Sequence, residues 1–113
     1  MTREQLTETL AARAIEAYDA FYFSQDSPAD IAVTISEKLL GTSAVFIGED
    51  AHRTPITVQI GDAQLHYHYE NETRYYWEFV GVKKVLTRIV IETTEGRRTI
   101  AIEKETRAIS VSD

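Results

Sequence analysis

A chain of 113 residues with 43% apolar and 27% charged side chains has the makeup of one soluble domain and is too short for two. Its net charge of −6 opposes non-specific adhesion to nucleic acid or anionic membrane, so neither is an expected partner. The lack of cysteine excludes disulfides, thiolate catalysis and thiolate zinc sites. With no apolar run near the ~18 residues of a membrane span, and a start lacking a signal-peptide pattern, it leads to the expectation of a cytoplasmic protein.

Thr2, with Gln5 three residues on, forms a capping box. Leu6, Leu10, Ala14, Ala17 and Phe21 then recur at spacings of three and four, which predicts one helix over 3–23. Near its end the apolar face widens to include Tyr18, Tyr22 and Phe23. In Ser27-Pro28-Ala29-Asp30 the serine is a cap, the proline suits the first helical position, and the carboxylate favours the positive end of the helix dipole. Ile31, Ile35 and Leu39 form the buried stripe of a second helix over 28–40, and Gly41 stops it.

Beyond Gly41 the apolar period switches to two, predicting strands over 43–47, 54–60, 63–70, 74–81, 85–92 and 97–104. The stretch 106–113 is left as an edge strand or a disordered tail. A loop runs from Gly48 to Arg53, and Pro55 belongs at the start or outer edge of the strand that follows. Gly61-Asp62 is a two-residue hairpin turn with glycine first; it pairs Ile60 with Ala63, Val58 with Leu65 and Ile56 with Tyr67. The next turn is placed in Glu70-Asn71-Glu72-Thr73. An odd-length loop there opposes Leu65 to Phe79, Tyr67 to Trp77 and Tyr69 to Tyr75, collecting the large rings on one face. The other face then carries His66, His68, Glu70, Arg74, Tyr76 and Glu78. Around the turn at Thr94–Arg97, Ile89 and Ile91 oppose Ile102 and Ile100. The expected fold is α+β: two N-terminal helices packed on a curved antiparallel β-meander of five to six strands.

Two histidines two apart on a strand project from one face. With Glu78 opposite His66, His66 and His68 supply three ligands of the kind that bind Zn²⁺, Fe²⁺ or Mn²⁺. The series Gly61, His66, His68, Glu72 and Gly81 loosely resembles the first motif of the cupin family, a glycine before His-x-His followed by a glutamate and another glycine. Four residues separate Gly61 from His66 where the family has five, and eight separate Glu72 from Gly81 where six are usual. The family's second motif, which brings a further histidine, is missing, and two N-terminal helices do not suit a cupin barrel. The histidines are therefore read first as the polar side of an antiparallel sheet. No metal and no cofactor is assigned, and His66, His68, Tyr76 and Glu78 stand as candidate ligand-binding residues.

In order of elements, two helices leading into a curved antiparallel sheet are also similar to the cone-shaped domains of the nuclear transport factor type, many of which bind or isomerise small hydrophobic molecules. Tyr67, Tyr69, Tyr75 and Trp77 would line such a cavity, with Glu16 or Asp19 at its mouth. Lys83, Lys84, Arg88, Arg97 and Arg98 lie near one end of the last hairpin and are read as a solvated charged edge. Residues 1–72 hold four Lys/Arg against twelve Asp/Glu, a balance of −8, while 73–113 hold eight against six, a balance of +2. The functional expectation is a non-enzymatic binding or assembly module acting as a homo-oligomer, its partner a second copy or another protein. The alternatives are a small-ligand protein or simple isomerase or hydrolase with an aromatic-lined cavity, and a metal site at His66, His68 and Glu78.

Overall fold

A computed structural model describes residues 1–48 and 55–113. Three helices, α1 (Arg3–Ala12), α2 (Ala14–Phe23) and α3 (Pro28–Leu40), precede six strands. These are β1 (Val45–Phe46), β2 (Ile56–Ile60), β3 (Ala63–Tyr75), β4 (Val80–Thr93), β5 (Gly96–Ile102) and β6 (Ile109–Ser112). All pairs are antiparallel and the sheet order follows the chain, so the fold is the expected α+β meander. The expected loop lies, from Glu49 to Arg53, outside the described residues, as does the expected strand start at Thr54. No helix among the described residues is long and apolar enough to cross a membrane.

The capping box forms as anticipated. Thr2 Oγ1 accepts from the Gln5 amide at 3.1 Å, and Gln5 Oε1 accepts from the Thr2 amide at 2.8 Å. The single helix expected over 3–23 is instead broken at Arg13, whose φ of −119° and ψ of 22° leave helical geometry. Its guanidinium takes both oxygens of Glu16 at 2.9 Å and reaches the Leu39 carbonyl at 3.4 Å. A straight helix over this span would run about 30 Å. The break lets α1 lie along β5 while α2 lies along β4. The apolar stripe survives it, because Leu6, Leu10, Ala14, Ala17 and Phe21 are all fully buried.

In α3, Ser27 Oγ accepts from the Asp30 amide at 3.2 Å, and Gly41 closes the helix at a φ of 68°, where a side chain would be strained. The buried stripe Ile31, Ile35 and Leu39 packs towards β2. Ser36 points into the same core and meets the Tyr67 hydroxyl at 2.6 Å.

The Gly61-Asp62 hairpin has the anticipated register, pairing Ile60 with Ala63, Val58 with Leu65 and Ile56 with Tyr67. The next hairpin does not. The chain continues as strand through 70–73, and β3 pairs with β4 from Gln64↔Glu92 out to Tyr75↔Val80. Leu65 therefore opposes Ile91 rather than Phe79, and Tyr67 opposes Ile89 rather than Trp77. The physical reason is burial. Val85, Leu86, Ile89 and Ile91 lie beside 65–70 and fill the core against the helices, which the aromatics 75–79 would have had to do otherwise.

One residue is left over in this pairing. His68 faces Arg88 and Tyr69 faces Leu86, so Thr87 forms a bulge, its hydroxyl donating to the His68 carbonyl at 3.1 Å. The β4–β5 register is two residues from the expected one, with Ile89 opposite Ile100 and Ile91 opposite Arg98 around a Thr94–Glu95 turn. A slip of two keeps every side chain on its face, so Ile89, Ile91, Ile100 and Ile102 are still buried. The tail forms the edge strand β6.

Candidate functional site

His66 and His68 do share the outer face of β3, above a shallow groove of about 410 Å³ that Arg88, Val90, Arg97 and Thr99 also line. Glu78 is not their neighbour. Val90 stands opposite His66, while Glu78 sits in the turn that ends the β3–β4 hairpin, about 30 Å away along the strand. The expected three-ligand set is therefore not assembled, and among the described residues no group of three His, Cys, Asp or Glu is placed to hold a metal.

Local partners account for each imidazole. His66 Nδ1 lies 2.8 Å from the Thr57 hydroxyl and its Nε2 lies 3.3 Å from Glu92, which also pairs with Arg97 at 2.9 Å. This suits a ring that carries its hydrogen on Nε2 and accepts from threonine. The Arg88 guanidinium stands 3.4 Å from His68 Nδ1. Partial burial, with the Arg88 charge and then His66 adding to it, pushes the His68 ring down to about 4.

The aromatic face separates into two groups. Leu65 and Tyr67 are buried, and Tyr67 and Tyr69 pack on Phe21 with ring centroids 5.6 and 6.0 Å away. Tyr75, Trp77 and Phe79, assigned by sequence to that face, lie at the far end of the hairpin and do not join it. The carboxylates expected at a cavity mouth are engaged elsewhere, Glu16 with Arg13 and Asp19 with Arg107 at 2.7 Å. The basic residues also disperse. Arg97 pairs with Glu92 and Arg98 with Asp113, while Lys83 and Lys84 brace the hairpin where it leaves the body.

That hairpin is the feature the sequence reading missed. β2 accompanies β3 only as far as Tyr67, and β5 accompanies β4 only from Arg88, so among the described residues no strand flanks the ribbon beyond those points. From Tyr69↔Leu86 to Tyr75↔Val80 it forms a two-stranded arm roughly 20 Å long. Its base is well anchored. Lys84 donates to the Ser24 carbonyl at 3.3 Å, Lys83 sits over the Tyr22 and Phe23 rings, and Glu72 pairs with both Arg74 and Lys104.

Opposed residues in a ladder share a face, so the register puts Thr73, Tyr75, Val80 and Val82 on one side of the arm. Tyr75 is 82% exposed, Val80 60% and Val82 62%. At the tip Trp77 is 100% exposed and Phe79 63%. Tyr76 is more organised. Its ring stacks on Phe79 with centroids 4.8 Å apart and lies close over Gly81, where a β-carbon would come within 3.0 Å of it. Tyr76, a candidate ligand residue by sequence, is thus part of the tip and remote from the histidine groove. The signal that would have revealed the arm is the spacing Leu86–Ile89–Ile91. Three then two marks a bulge in a strand long enough to pair with all of 64–75.

No known protein family, curated protein or solved structure matches this chain.

Proposed function

We propose that the protein is a non-enzymatic assembly module that works as a homo-oligomer, with the β3–β4 arm as its means of association and the cytoplasm as its setting. The observation that carries this reading is the arm's surface: six apolar residues, four of them aromatic, stand exposed on a ribbon that no strand flanks among the described residues. An isolated two-stranded hairpin is marginal in water, and a contiguous apolar patch is costly to leave solvated. Tyrosine, tryptophan and phenylalanine are also the residues enriched at the centres of interfaces. The body needs none of these side chains for its own core, since Leu65, Tyr67, Leu86, Ile89 and Ile91 fill the sheet's inner face.

Trp77 is the sole tryptophan of the chain and stands at the tip, so the native protein carries its own reporter. Emission should be that of a water-exposed indole in dilute solution and shift to the blue as concentration rises, in step with a doubling or more of mass by light scattering. Tyr75→Ser, with Trp77 retained, should displace both transitions to at least about tenfold higher concentration, the equivalent of ~1.4 kcal/mol. A chain that stays monomeric at every accessible concentration, its emission unchanged, would overturn the reading.

A further inference from the structure

On the outer face of the sheet, Arg88 differs from the other arginines. Among the described residues every other arginine lies 3.3 Å or less from a carboxylate oxygen. Arg88 has no such partner, although the chain holds 18 acidic residues against 12 basic ones. Its neighbour is an imidazole. The register sets Arg88 directly across from His68, with the guanidinium 3.4 Å from Nδ1 of the ring, long for a hydrogen bond. Cross-strand neighbours of opposite charge steady a sheet, and like charges oppose it. Two groups that are both cationic when protonated make a poor pair alone and a good one around an anion.

The pair borders the shallow groove already described, whose other walls include Val90, Arg97 and Thr99. The carboxylates around it are engaged. Glu92 holds Arg97 and His66, and Asp113, at the rim, meets Arg98 at 3.3 Å. Glu70, two residues along β3, exerts its charge on Lys104. The charged and titratable groups facing His68 are thus Arg88 from β4, His66 from its own strand, Arg97 from β5 and Asp113 beyond β6. Burial and then the Arg88 charge keep the ring neutral down to about pH 4, the mark of a site with a local positive excess. Nε2 of His68 has no partner among the described residues.

We propose that this groove binds the phosphate group of a small molecule, held by Arg88 and His68. The planar fork of Arg88 takes two phosphate oxygens, and His68 Nε2–H donates to a third. A carboxylate has only two oxygens and is satisfied by the guanidinium alone. A nucleic-acid backbone calls for several cations in line, which a chain of −6 with one arginine to spare does not offer. At about 410 Å³ the groove has space for an organic group beside the phosphate. It lies on the body, apart from the arm, and is independent of the assembly reading.

The test is NMR of the full chain in a dilute zwitterionic buffer, titrated with inorganic phosphate and, separately, with phenyl phosphate. Both should shift the amides of His68, Arg88 and Thr99 saturably, while acetate binds more weakly and chloride at equal ionic strength has no such effect. Tighter binding of phenyl phosphate marks an organic monoester as the ligand, and equal binding marks free phosphate. Saturation should also raise the titration midpoint of the His68 C2 proton, by about one unit for each tenfold preference of the anion for the protonated ring. Arg88→Gln should lose at least about tenfold in affinity, and Arg88→Lys less, since lysine keeps the charge without the fork. Lys38→Gln on α3 removes the same charge elsewhere and should bind as the original does. The site is overturned by any of four results: no saturable shift, acetate or chloride acting as phosphate does, an unmoved His68 midpoint, or Arg88→Gln binding as well as Lys38→Gln.

Discussion

The hydroxyls of Ser36 on α3 and Tyr67 on β3 meet 2.6 Å apart in the core, where neither reaches water. Burial pushes the Tyr67 phenol up to about 12, the hydrogen bond with Ser36 opposing it only in part. Ionising it inside the fold is disfavoured, so the stability it contributes is present below about pH 10 and is lost as pH rises towards 12. Ser36→Ala should destabilise by about 1–3 kcal/mol, because it orphans the phenol. Tyr67→Phe should cost less, since a helical serine can turn its hydroxyl to the carbonyl one turn back. The double variant should be less harmful than the sum of the two, and urea unfolding of the four proteins measures the coupling.

Arg107 is held in the left-handed region at φ 60° between β5 and β6. Its guanidinium reaches Asp19 at 2.7 Å and lies 4.8 Å from the centre of the Tyr18 ring, tying that loop to α2. Arg107→Ala keeps the strained backbone and loses the clamp, whereas Arg107→Gly loses the clamp but relieves a strain of about 1–2 kcal/mol. Thermal unfolding should place the glycine variant above the alanine variant. The opposite order would mean the backbone conformation is not held in solution.

His68, held down at about 4, gives the protein an acid sensitivity of known sign. The unfolded chain takes up a proton near pH 6.5 that the folded ring refuses until about 4, so stability falls as pH drops through that interval and levels off below it. The ring's C2 proton should titrate with a midpoint near 4 by NMR. His68→Gln should flatten the pH dependence of the urea midpoint between pH 6.5 and 4. A midpoint near 6.5 would refute the role given to burial and Arg88.

Tyr75, Trp77 and Val82 are exposed and lie outside the buried core formed by the described residues. Serine or threonine at any of them should leave the unfolding midpoint of the dilute protein within about 0.5 kcal/mol of its original stability. A larger loss would mean the arm folds back on the core.

What the sequence made legible were the features settled by near neighbours. Thr2 with Gln5, Ser27 with Pro28, Gly41, and the Gly61-Asp62 turn each decide their own geometry, and all form as read. The partner of Leu65 is a different matter. Local alternation allowed both Phe79 and Ile91 across from it, and only the volume left beneath three helices decides for isoleucine. His66 and His68 shared a face as the pleat requires, but Glu78 was placed beside them by a turn that does not form. The break at Arg13 left no mark on the apolar stripe, which continues through it in phase.

Thr87, the unpaired residue at the root of the arm, gives this design a freedom of aim. Removing it would leave Tyr69↔Leu86 and every more distant pair in place, and so would spare the chemistry of the exposed face. A bulge adds local twist, however, and its loss would swing the ribbon to a new angle against the body. Two bodies joined through their arms would then keep their grip and change their mutual orientation. The shape of the proposed assembly, read by small-angle scattering, would then be adjustable at one position outside the exposed apolar surface.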